Sequence, residues 1–187
     1  MATSAATSEA DRPVLAIYHT PSRPHTTNAS VVVALWDDGR IVWSTATSGG
    51  GPPYRVARFD QEKLHALLDR LENERQFSDT NTRRSWFGPD ASYTTIAVDD
   101  GRSRLRLQSW HELAEQKTNV VATAGGLEPL AGRDREQLLR SQPADYRRFL
   151  QTWKDIRQTV TALTPRAGEP FDGPININYR DKKPARP

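Results

Sequence analysis

Two kinds of hydrophobic spacing divide this chain. Val31 to Trp36 and Ile41 to Thr45 are β-rich runs separated by Asp37-Asp38-Gly39-Arg40. An Asp-Gly pair between such runs predicts a hairpin, with Asp38-Gly39 supplying the positive φ of a type I′ turn. Ala91 to Val98 and Ser103 to Ser109 repeat the pattern around Asp99-Asp100-Gly101-Arg102. Between the two ribbons the period changes. Leu64, Leu67, Leu68 and Leu71 recur at i, i+3, i+4 and i+7, one apolar stripe of a helix over 61–76. Asp60 is placed to cap its first turn, and Phe59 with Leu64 makes a hydrophobic staple. The unit reads as ββαββ. Its simplest assembly is a four-stranded, mainly antiparallel sheet with the helix across one face, leaving the other face open.

The flanks are less regular. Val14 to Tyr18 is a short apolar run that predicts a further strand, and residues 21–30 read as a loop. Ser48-Gly-Gly-Gly-Pro-Pro53 followed by Tyr54 to Phe59 reads as a bulge or bend within one long strand. Residues 79–90 and 125–132 read as loops, with Asn119 to Ala124 a short β-branched run between them. A helical pattern starts near Asp134, and Pro143 interrupts it or marks a fresh start. Tyr146, Phe149, Leu150, Trp153, Ile156, Val160 and Leu163 then space out a long second helix, stopped by Thr164-Pro165. The expected fold class is therefore α+β, with one domain over 13–165. Residues 1–12 are expected to be disordered. The tail 166–187 is Pro-rich, basic and expected to be mostly mobile, with only Ile175 to Tyr179 able to pair as a strand.

Asp-Asp-Gly-Arg, Gly-Gly-Pro-Pro-Tyr, the leucine-striped helix, Phe87-Gly-Pro-Asp-Ala-Ser-Tyr-Thr-Thr-Ile96 and Leu107-Gln-Ser-Trp-His-Glu112 together resemble a group of uncharacterised bacterial proteins sharing a ββαββ domain of unknown function. The likeness covers roughly residues 30–160. It implies the fold and no mechanism.

Composition narrows the chemistry. With 187 residues the chain suits one domain, and no apolar run approaches a membrane span. The first ten residues lack the basic and apolar segments of a secretion signal, so a cytoplasmic protein is expected. No cysteine is present, which removes disulfides, thiolate metal sites and thiol nucleophiles. The net charge of +3 is unevenly spread: residues 1–130 sum to −2 and residues 131–187 to +5.

Phosphate-loop, dinucleotide, zincin and nucleophile-elbow motifs are absent. Gly49 to Gly51 makes a poor phosphate cradle, because two prolines follow and remove N–H donors. His19 and His25 lack a third ligand, so no metal and no cofactor is expected. Ser109, His111 and Glu112 at the exit of the second ribbon form the weak catalytic candidate, since a carboxylate beside an imidazole can raise its basicity. Neighbours on a strand point to opposite faces, which counts against it. Arg102, Arg104 and Arg106 alternate with Ser103, Leu105 and Leu107 and therefore share one face. Their forked donors suit an anionic ligand or protein partner, or else form a solvated face. Among the five tryptophans Trp153 is expected in the core. The reading favoured is a non-catalytic binding domain using an open sheet face, ahead of a hydrolase centred on His111 and Glu112. Non-specific nucleic-acid binding through the arginine row and the basic C-terminal third ranks third.

Overall fold

The computed structural model describes residues 12–20, 29–46, 49–73, 82–84, 93–101, 103–110, 120–177 and 179. In chain order the elements are β1 (Leu15–Thr20), β2 (Ser30–Leu35), β3 (Arg40–Ser44), β4 (Tyr54–Arg58), α1 (Gln61–Asn73), β5 (Thr82–Arg84), β6 (Tyr93–Asp99) and β7 (Arg104–Trp110). They continue with β8 (Val120–Thr123), β9 (Gly126–Pro129), α2 (Arg135–Arg140), α3 (Ala144–Leu163) and β10 (Glu169–Phe171). The α+β class and the antiparallel sheet stand, but the sheet is larger than four strands. Its order is β10-β4-β3-β2-β1-β6-β7-β5, all antiparallel except for β5, which runs parallel to β7. Both predicted ribbons lie in this one layer. They are not adjacent, because β1 inserts between them and pairs with β2 on one side and β6 on the other.

The first ribbon closes differently from the expected type I′ turn. Trp36 N–H donates to the Arg40 carbonyl (2.9 Å) and Gly39 N–H to the Trp36 carbonyl (3.1 Å), while Gly39 alone takes a positive φ of 82°. A three-residue loop spares Asp38 the left-handed region that a type I′ turn would impose on it. The second Asp-Asp-Gly-Arg is used in another register. Asp99 is the last residue of β6 and lies opposite Arg104. Identical tetrapeptides thus leave Asp37 exposed and Asp99 buried.

The Gly-Pro segment is a reversal, not a bend in one strand. Gly49, Gly50 and Gly51 all have positive φ, and β4 returns antiparallel to β3 from Arg58 opposite Arg40 to Tyr54 opposite Ser44. The region read as a loop after Gly125 contains β9, which forms a small separate ribbon with β8. The segment 79–90 contains the edge strand β5.

Both long helices cover the same face. Asp60 Oδ1 accepts the Glu62 N–H (3.1 Å), and the four α1 leucines are buried with Tyr146, Phe149, Trp153, Ile156, Val160 and Leu163 of α3. Each buried leucine contributes about 1.5–3 kcal/mol, so the two stripes anchor this layer. They meet Leu15, Ile17, Val33, Leu35, Ile41, Ile96, Val98, Leu105 and Leu107 from the sheet. Pro143 marks a fresh start: α2 ends at Arg140 and α3 begins at Ala144. Among the described residues no helix is long and apolar enough to cross a membrane.

The opposite face is not open throughout. Ala16, Tyr18, Val31, Ala34, Trp36, Val42 and Ala97 form a second buried cluster, packed by Tyr54, Val56, Phe171, Ile175, Ile177 and Tyr179. The tail therefore docks where its described residues reach. Among its described residues it pairs through β10, while Ile175, Ile177 and Tyr179 pack against the sheet by side-chain contact. A β-bulge makes this cluster continuous. Ile17 pairs with Val33 but Tyr18 with Val31, so Val32 is the extra residue and Val31 joins Tyr18 on the helix-free side.

Candidate functional site

The arginine row is split by the fold. Arg102 lies outside the described residues, as do His111 and Glu112. Arg104 opens β7 with its Nε 2.8 Å from Asp99 Oδ2, and Arg12 Nη2 approaches the same oxygen at 3.2 Å. Asp99 is buried, and its second oxygen accepts the Gly101 N–H (3.0 Å). This carboxylate clamps the start of β1 to the second turn, so Arg104 is committed to structure. Arg106 is different. It is exposed, and its guanidinium donates to the phenol oxygen of Tyr18.

Register explains that contact. Tyr18 lies opposite Thr95, which lies opposite Gln108, while Arg106 faces Ala97, which faces Ala16. Two alanines beside the pair leave room for the long side chains to meet above the sheet. Thr95 also hydrogen-bonds to the Tyr18 oxygen and accepts from Gln108 Nε2 (3.3 Å). Gln108, Thr95, Tyr18 and Arg106 thus form one polar network on the helix-free face. Burial pushes the Tyr18 phenol up from its ordinary range, against the Arg106 charge and these hydrogen bonds.

Tyr18 also floors a cleft of about 670 Å³. Its walls are Tyr54, the Gly51-Pro52 turn, Ser30 and Val31 on one side and Gly173 with Ile175 to Ile177 on the other. The first wall follows from β2 outrunning β3, whose pairing with it stops at Val33. The unpaired edge is satisfied by the glycine turn: Gly51 N–H donates to the Val31 carbonyl (2.8 Å), and Val31 N–H meets the Tyr54 hydroxyl. Gly50 passes so close that a Cβ there would sit 2.7 Å from the Val31 oxygen. The glycine turn thus holds Gly51 and Pro52 in the wall of the cleft. Burial raises the Tyr54 phenol, and the Val31 bond opposes it.

The second wall is pinned at its far end. Tyr179 donates its hydroxyl hydrogen to the Pro13 carbonyl (3.0 Å), and the Arg12 guanidinium lies 5.6 Å from the ring centroid. Burial drives the Tyr179 phenol far above its ordinary range, Tyr18 adds to the rise, and Arg12 opposes it.

Ser109 shares the row of Leu105 and Leu107 and is 0% exposed, so its hydroxyl is enclosed on the helix side, away from Arg106. His19 Nδ1 lies 2.9 Å from Thr94 Oγ1, and His25 is outside the described residues. Among the described residues no group of three or more His, Asp or Glu is placed to hold a metal. Strand alternation in the sequence draws attention to Arg106 and none to Tyr18, Thr95, Tyr54 or the tail as parts of a site. No motif marks them; the one usable signal was the apolar alternation of Ile175, Ile177 and Tyr179. No family model, curated protein or solved structure matches this chain.

Proposed function

We propose that the chain is a non-catalytic binding domain that recognises an anionic partner on the helix-free face of its sheet, with Arg106 as the principal contact. The observation that carries this is the state of Arg106: exposed, oriented by the Tyr18 oxygen, and beside an Asp99 already engaged by Arg12 and Arg104. A guanidinium held at one corner loses less freedom when it grips a carboxylate or phosphate than one hanging free in water.

Titration with an acidic peptide at several salt concentrations tests this reading. Binding should weaken as salt rises, and Arg106→Gln should reduce it about tenfold, the scale of one charge-assisted hydrogen-bonded pair. Unchanged affinity in Arg106→Gln would refute it. A steep salt slope shared by DNA and heparin, insensitive to Arg106→Gln, would point to non-specific nucleic-acid binding through the basic C-terminal third instead.

A further inference from the structure

We infer that the cleft between the C-terminal segment and the sheet is a site for an aromatic carboxylate, its ring lodged against Tyr18 and Tyr54 and its acid group on Arg106. The inference rests on the anion reading of Arg106 and adds the body of the ligand.

Size and lining chemistry both point to it. About 670 Å³ falls within the range of small-molecule pockets. Among the described residues the lining offers two tyrosine rings, Val31, Ile175 and Ile177, with polar groups from Ser30 and Asn176 and no charged side chain. A neutral, flat or apolar body suits such walls. Both phenol oxygens are already engaged within the protein, Tyr18 by Thr95 and Arg106 and Tyr54 by Val31. Those bonds hold the rings in place, so what they mainly present to a guest is pre-oriented aromatic surface, which favours a stacked or edge-on ring. The charge preference comes from the end of Tyr18, where Arg106 touches the phenol oxygen. A fork of donors there matches a carboxylate bound through both oxygens. The ring could belong to a free acid or to the C-terminal residue of a peptide, since the recognised chemistry is the same.

The test is NMR titration of the full chain, read on its backbone amides, with 3-phenylpropanoate, its neutral amide, acetate, and N-acetyl-Gly-Phe with a free C-terminus. Wild type, Arg106→Gln and the cleft-filling Ala29→Trp are compared, Ala29 lining the cleft beside Ser30, and amide shifts of Tyr54 and Ile177 map the site on wild type in case Ala29→Trp does not fold. Phenylpropanoate should bind and move both amides, with the amide analogue and the Arg106→Gln variant each about tenfold weaker, the scale of one charge-assisted contact. Acetate should bind far more weakly, and Ala29→Trp should abolish binding. Tighter binding of N-acetyl-Gly-Phe would identify a peptide end as the source; weaker binding would identify a free acid, and either supports the site. If phenylpropanoate binds no better than acetate while an acidic peptide still depends on Arg106, the inference is overturned and the anion reading survives. If acid and amide bind equally and Arg106→Gln changes nothing, both are overturned.

Discussion

Gly50 and Gly49 offer a matched pair of substitutions that separates backbone conformation from close approach. Both have positive φ, 71° and 79°, so alanine at either meets the left-handed penalty of about 1–2 kcal/mol. Among the described residues nothing lies within 4 Å of a Cβ added at Gly49, whereas at Gly50 it would meet Val31 O at 2.7 Å, Val31 C at 2.9 Å and Ser30 O at 3.0 Å. All three are backbone atoms of β2 and cannot rotate away. The turn must withdraw instead, which endangers the Gly51 N–H bond to Val31 and the Ser44 hydroxyl bond to the Gly51 carbonyl. Each is worth about 0.5–1.5 kcal/mol, so Gly50→Ala should cost about 1–3 kcal/mol more than Gly49→Ala. In a chain of this length 1 kcal/mol shifts the melting temperature by about 2–4 °C. Thermal unfolding should therefore place Gly50→Ala roughly 2–12 °C below Gly49→Ala, with the urea midpoint lowered in parallel. Equal midpoints for the two variants would refute the idea that the glycine turn grips the edge of β2. Because the same turn walls the cleft, Gly50→Ala should also weaken phenylpropanoate binding while Gly49→Ala should not.

Other outcomes follow from buried groups. Tyr179 is neutral in both states below its unfolded pKa; above about pH 10 the unfolded chain ionises while the folded phenol, raised chiefly by burial, does not. Stability should therefore fall as pH rises beyond that point, and Tyr179→Phe should flatten part of the slope in denaturant titrations between about pH 8 and 11, with Tyr18 and Tyr54 supplying the remainder; an unchanged slope would show that the ring is not enclosed. Ser109→Ala should cost about 1 kcal/mol and leave Arg106-dependent binding intact, and a fluorophosphonate probe should not label Ser109; labelling would revive the hydrolase reading. Among the described residues the buried Trp153 Nε1–H finds no acceptor, so Trp153→Phe should change unfolding free energy by no more than about 1 kcal/mol, against about 3–5 for Trp153→Ala; a loss above about 2 kcal/mol in the Phe variant would reveal an acceptor.

Much of the scaffold is legible locally. The leucine stripe from Leu64 to Leu71, the cap at Asp60, the stop at Thr164-Pro165 and the two ribbons each depend on residues within a few positions of one another, so spacing and turn chemistry suffice to find them. Turn type is already harder. Asp-Asp-Gly-Arg takes two registers because pairing outside the tetrapeptide, Leu35 with Ile41 in one case and Asp99 with Arg104 in the other, decides where each strand ends. Of the candidate site, period two correctly grouped Arg104 with Arg106. It could not separate them, because the carboxylate that occupies Arg104 and the phenol that orients Arg106 belong to different strands.

Local order in this chain is written along the chain itself: helix faces, reversals and the alternation of each strand come from the conformational preferences and periodicities of short stretches. Which strands become neighbours, and which face is left uncovered, is set by long-range burial. The insertion of β1 between the ribbons joins Tyr18 to Arg106, and the return of the tail joins Ile175 and Ile177 to Val31 and Tyr54. Those contacts pair residues scores of positions apart, and the competition among apolar surfaces that selects them is resolved only when the whole chain packs.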